Sequence, residues 1–182
     1  MKWLASLTLA LCLSPGVFAQ SRVPRPADDL RLTDSNGKPL SIRGDRGKVV
    51  LIEFLYTTCL HCQATARMFT KLQDELGPHG LRVVGVAFNP EAEHNAAVIG
   101  DFVKSGNINF PVGAAPQDTV LNYLGFSMME RFMVPQIVVI DREGVIRAQT
   151  DAASSSPLRD ETYLRSFLRD LLAGSHSTSS HP

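Results

Sequence analysis

At 182 residues, with 44% hydrophobic and 20% charged side chains and 18 Lys and Arg balanced by 18 Asp and Glu, the sequence has the composition of one globular domain. A formal net charge of zero with no basic block argues against electrostatic capture of nucleic acid, and 13 Gly with 11 Pro is too little for a collagenous or low-complexity chain. A domain of this size buries roughly two-thirds of the surface its unfolded chain exposes, so it needs neither a disulfide framework nor a structural metal to be stable.

Met1, Lys2 and Trp3 form a short positive start, Leu4 through Leu13 supply an apolar run, and Val17, Phe18 and Ala19 make a small-x-small cleavage site. Residues 1–19 therefore read as a secretory signal. Ser14, Pro15 and Gly16 end the apolar run well short of the ~20 residues a membrane span requires. Leu11, rather than a small residue, precedes Cys12, which argues against a lipid anchor. Cleavage after Ala19 removes Cys12 and leaves Cys59 and Cys62 as the only cysteines, in an exported compartment where disulfides persist.

Residues 20–29 are Pro- and Arg-containing and aperiodic, an expected exposed lead-in. Leu30, Leu32, Leu40 and Ile42 flank a turn composition at Asp34, Ser35, Asn36 and Gly37, which predicts an N-terminal β-hairpin. Val49 to Tyr56 is almost wholly apolar, as for a strand covered on both faces, with Glu53 the exception. From Leu60 to Leu76 the period changes: Cys62, Ala66, Phe69, Leu72 and Leu76 share one face of a helix that Gly77 and Pro78 stop. Leu81 to Ala87 predicts a second buried strand, and Ala92 to Lys104 a helix whose apolar face carries Ala96, Ile99 and Val103. Asn109 to Gly113 predicts a short strand and Thr119 to Leu124 a short helix. Gln136 to Asp141 and Val145 to Gln149 predict paired strands, and Leu158 to Leu172 a closing amphipathic helix. This alternation implies an α/β fold in which a central mixed sheet is flanked by helices, one domain over residues 30–173 with a disordered tail at 174–182.

Cys59, Leu60, His61 and Cys62 stand at the junction of a buried strand and a helix. Cys59 precedes the first turn, where unpaired N–H groups and the helix dipole favour an anion, whereas Cys62 lies on the apolar face. Cys59 is therefore the expected low-pKa nucleophile and Cys62 the thiol that resolves a mixed disulfide. His61 is expected to donate a hydrogen bond to the Cys59 thiolate, raising the reduction potential; the competing reading is a solvated surface ring. A structural disulfide would close only a four-residue loop, worth roughly 2 kcal/mol in the chain-entropy model, and no further ligands sit at zinc-site spacing, so redox chemistry is preferred and no metal or other cofactor is expected.

Glu53, six residues before Cys59 and inside an apolar strand, is expected to be a proton acceptor for Cys62; the alternative is a strand-end carboxylate paired with a lysine such as Lys48. Pro135 suits a bend where the strand from Gln136 begins.

Three segments together resemble the thioredoxin-like family, specifically the exported TlpA/ResA-type thiol-disulfide oxidoreductases and the wider redoxin group. They are Val49 to Cys62; Tyr123, Leu124, Gly125 and Phe126; and Val134 to Gly144. The resemblance covers most of Leu30 to Leu172. It implies the thioredoxin-like fold, a cis-proline at Pro135 facing the active site, backbone hydrogen bonds from Val134 to a substrate strand, and Glu53 as the buried acid. Protein thiol or disulfide clients and a membrane redox partner are expected with it; nothing in the sequence suggests an obligate dimer, so a monomer is expected.

Thr57, Thr58, Leu60 and His61 replace aromatic and Pro residues common around the family motif, and Cys-x-His-Cys looks more like the oxidising DsbA-type centre. The scaffold suggests a reductant and the dipeptide an oxidant. Between Phe126 and Val134 the link is longer than usual, and its Met128, Met129 and Met133 either line a groove or, the preferred reading, fill gaps in the apolar interior. A thiol peroxidase would need Pro at Ile52 and Thr or Ser at Tyr56. A copper metallochaperone would use these methionines with Cys59 and Cys62 as soft ligands, but that family carries Cys-x-x-x-Cys.

Overall fold

The computed structural model describes residues 23–153 and 156–174. In chain order the elements are β1 (Arg25–Pro26), β2 (Arg31–Asp34), β3 (Pro39–Ser41), β4 (Val49–Leu55), α1 (Leu60–Leu76), β5 (Leu81–Ala87), α2 (Pro90–His94), α3 (Ala96–Gly106), β6 (Val112–Ala114), α4 (Gln117–Leu124), β7 (Gln136–Ile140), β8 (Val145–Gln149) and α5 (Glu161–Leu172). The strands form one sheet in the order β1-β8-β7-β4-β5-β6-β2-β3. β4, β5 and β6 run parallel, while β7, β8 and β2 join their neighbours antiparallel. β2 and β3 are the hairpin expected from the turn at Asp34 to Gly37.

β4 is central and buried along its whole length, so alternate residues feed two separate cores. Val49, Leu51 and Leu55 pack with Phe69 and Leu72 of α1 and with Leu164 and Leu168 of α5. Val50, Ile52 and Phe54 pack on the opposite face with Val120 and Leu124 of α4 and with Leu30 and Ile42. The result is three layers, with helices on both sides of a mixed sheet. By alternation Glu53 faces the α1 and α5 side, where the buried stripe Cys62, Ala66, Phe69, Leu72 and Leu76 matches the sequence spacing.

Several boundaries differ from the sequence reading for local physical reasons. The helix expected from Ala92 to Lys104 is broken at Asn95, whose extended backbone ends α2 and whose side chain accepts from the Ala97 N–H at 3.0 Å to cap α3. Its buried residues are Ile99 and Phe102, so the apolar face is rotated away from Ala96. β6 begins only after Pro111, which has no N–H for a ladder. The closing helix starts at Glu161, where Asp160 caps it by accepting from the Tyr163 N–H at 2.8 Å. The lead-in adds β1 to the sheet edge beside β8, and its Arg25 donates to the Tyr123 carbonyl at 2.7 Å and to Gln149 Oε1 at 2.9 Å. Residues 1–19 and nearly all of the expected tail lie outside the described residues.

Candidate active site

β4 delivers the chain to the N-terminus of α1 through a short turn at Tyr56, Thr57 and Thr58, and Cys59 occupies the capping position with extended backbone. The Cys59 N–H donates to the Tyr56 carbonyl at 3.0 Å, and the Cys59 carbonyl accepts the Gln63 N–H at 3.0 Å. Its sulfur accepts the backbone N–H of Cys62 at 3.4 Å, the bond that Ser or Asp oxygens usually make at a helix start. Cys59 is half-buried, Cys62 is fully buried, and both are free thiols.

A buried polar knot fixes the turn. Asn89, just after β5, accepts the Thr57 N–H at 3.1 Å and donates to Thr57 Oγ1 at 3.2 Å, while Gln63 Nε2 donates to the Thr57 carbonyl at 3.1 Å. The Asn89 amide also reaches Glu91 Oε2 at 2.9 Å. Sequence reasoning missed Asn89 and Thr57. The available signal was Asn89 followed by Pro90, a helix-start composition just after a largely apolar strand.

Burial is the main cause that pushes the Cys62 thiol well above its ordinary range, and its side-chain hydrogen bond to Cys59 adds to this, as do the charges of Glu53 and Cys59. A backbone hydrogen bond from Tyr56 works the other way. Glu53 is 0% exposed, and neither carboxyl oxygen has a hydrogen-bond partner among the described residues. Burial first, and then the nearby Cys59 charge, holds it well above the usual carboxylate range. Lys48 does not neutralise it, because Lys48 pairs with Asp45 at 3.4 Å. In register Glu53 lies between Gly85 of β5 and Ile137 of β7.

His61 corrects an expectation. Its ring is exposed on the first turn of α1 and makes no hydrogen bond to the Cys59 sulfur among the described residues; the Cys62 N–H fills that role. The methionines also depart from the preferred reading, since Met128, Met129 and Met133 are 64%, 93% and 57% exposed and so do not fill interior gaps. The Val134–Pro135 peptide is cis, Pro135 is buried, and Val134 is half-buried. Val134 and Cys59 border the same core cluster on the α1 and α5 side.

A mixed sheet between helix layers, with Cys59 half-buried at a helix N-terminus and Cys62 buried on the side of the sheet that Glu53 faces, is a thioredoxin-like architecture, and the protein is of the oxidoreductase class. The chain belongs to the AhpC/TSA family, whose model matches residues 23–149. Among curated proteins it is similar to the thiol-disulfide oxidoreductase ResA of Bacillus cereus, 21% identical over 137 residues that span 74% of each chain. The Bacillus anthracis protein of that name is 21% identical over 140 residues, 75% of this chain and 76% of the relative. Among solved structures, a thiol:disulfide interchange protein of the thioredoxin family from Chlorobium tepidum superposes with a TM-score of 0.67 at 22% identity, covering 84% of this chain and 99% of the other. A thiol:disulfide interchange protein from Bacteroides sp. gives 0.68 at 18% identity, covering 88% and 96%. The two structural likenesses speak for the fold.

Proposed function

We propose that the protein is an exported thiol-disulfide oxidoreductase that exchanges disulfides with protein thiols through Cys59 and Cys62. The observation that carries this reading is the asymmetry of the pair: Cys59 caps the helix with its sulfur on an N–H donor, and Cys62 is buried beside an unpartnered Glu53. Cys59, half-buried at the helix start with its sulfur on a backbone N–H, is the sulfur a client disulfide can reach, whereas Cys62 is enclosed.

In the reducing direction the Cys59 thiolate attacks one sulfur of a client disulfide. The Cys59–client bond forms, the client S–S bond breaks, and one client thiolate leaves. Bonding of Cys59 removes its negative charge, which is one of the two causes of the raised Glu53 pKa, so Glu53 ionises more readily at this stage. Glu53 gives up its own proton, which the departing client thiolate takes, and then accepts the Cys62 proton. The Cys62 thiolate attacks Cys59, forming the Cys59–Cys62 disulfide and releasing the second client thiolate. The client gains two electrons and the protein loses two; oxidation of a client dithiol runs through the same steps in reverse. Val134 supplies backbone hydrogen bonds that hold the client strand, with Pro135 beside it. A membrane redox partner resets the pair, and the protein works as a monomer.

Trapping tests the assignment of the two sulfurs. The Cys62→Ser variant, incubated with a disulfide-bonded protein substrate, is expected to accumulate a mixed disulfide through Cys59, and Cys59→Ser is expected to form none. Equal trapping by both variants would overturn the assignment.

A further inference from the structure

The chain that leads into β7 is held by side chains with no place in the sulfur chemistry. Gln136 is fully buried, and its Nε2 reaches back to the Met133 carbonyl at 2.6 Å and across to the Asp151 carbonyl at 3.2 Å. The amide cannot usefully flip. Its Oε1 accepts the Thr150 hydroxyl, and the oxygen of that buried hydroxyl in turn accepts the Ile137 N–H at 2.9 Å. On the other side of the loop, Arg159 in the turn before α5 donates through Nη2 to the Pro135 carbonyl at 2.7 Å. The Met133 N–H is taken by the Ala152 carbonyl at 3.2 Å.

Through Met133, Val134 and Pro135, the two outer carbonyls and the Met133 N–H are thus occupied, and proline has no N–H to offer. The backbone N–H and carbonyl of Val134 are the pair left without a partner among the described residues. An N–H and a carbonyl left unpaired on one residue just before a strand can serve as a single open rung of a sheet ladder. Gln136 and Arg159, from separate segments, hold the residues flanking it, and Thr150 holds Gln136 in turn; side-chain hydrogen bonds of this kind favour one backbone geometry.

We infer that Gln136, Thr150 and Arg159 are positioning residues that hold the 133–135 loop so that Val134 alone presents its backbone to an extended client peptide beside Cys59. This rests on the exchange function proposed above and adds to it the groups that set client affinity. The clamp makes no contact with the sulfurs, so it acts on peptide binding and leaves the reactivity of Cys59 toward small disulfides unchanged.

The purified protein, with dithiothreitol as electron source, is assayed with insulin as peptide disulfide and with the small disulfide 5,5′-dithiobis(2-nitrobenzoate). For Gln136→Leu and Thr150→Val the expected result is a rise of at least about tenfold in KM for insulin, with kcat and the rate on the small disulfide within about twofold of the parent. Thr150→Ser, which keeps the hydroxyl, is expected to restore the parental KM. Arg159→Met removes a half-buried group outside the sheet and so tests the clamp without opening the core; the same shift in KM is expected. Unchanged KM in all variants, or a parallel fall of both substrates, overturns the clamp while leaving the exchange function standing. A parent protein that turns over neither substrate overturns both.

Discussion

The backbone N–H of Cys62 points at the sulfur of Cys59 from 3.4 Å, so the two cysteines of the motif are linked before any disulfide joins them. The three-residue spacing is what permits this, because the capping position of a helix and the third residue after it face each other across the first turn. The same turn sends the Cys62 side chain into the core, where its thiol loses the water that would support ionisation.

Selective alkylation should expose this division. At pH 7, iodoacetamide is expected to modify Cys59 faster than Cys62 by a factor on the order of 100 or more, since each unit of raised pKa costs tenfold in thiolate and burial slows access further. Mass mapping of partially alkylated, reduced protein provides the check. Equal labelling would contradict the assignment.

Glu53 makes stability depend on pH with a defined sign. Its folded-state pKa lies above its ordinary value of 4.5, so between 4.5 and the raised value the native chain holds more protons than the unfolded one. Stability contributed by the protonated carboxyl is complete below the ordinary value and is lost as pH climbs through the raised one. Urea unfolding across that range should show wild type losing stability while Glu53→Gln stays flat. The same variant should resolve mixed disulfides more slowly, by about 10²-fold, the usual worth of a positioned proton acceptor.

Asn89 carries the turn that presents Cys59. Asn89→Ala leaves the buried Thr57 N–H without an acceptor, a cost of about 1–3 kcal/mol in denaturant unfolding. A slower reaction of Cys59 with small disulfides is expected alongside it.

His61 is exposed, and solvent weakens any electrostatic influence of its ring on the sulfur. His61→Ala is therefore expected to move the reduction potential of the pair by less than about 30 mV, a factor of ten in the exchange equilibrium. A larger shift in glutathione equilibration would show direct coupling of the ring to the Cys59 sulfur.

The helix face from Cys62 to Leu76, the buried strands and the cysteine motif were all legible, because each is written as an apolar period or a short spacing within one segment. Glu53 was legible as a carboxyl placed where only apolar side chains belong. The Asn89–Thr57 knot and the Gln136–Thr150–Arg159 clamp were not, since their partners lie 32, 14 and 24 residues apart in sequence, and polar residues near strand ends are ordinary until the fold joins them. His61 failed differently. A short spacing places a residue on a helix turn but does not say whether its ring turns toward the sulfur or toward water.

Whether Cys59 and Cys62 act as one reversible dithiol couple is read by equilibrating the protein with graded glutathione buffers and then alkylating free thiols. A single two-electron transition is expected, in which both cysteines are lost to alkylation together, at a potential between about −270 mV and about −120 mV, the range from thioredoxin to DsbA. Thiols that stay alkylatable at every ratio, or that oxidise independently of each other, would contradict it.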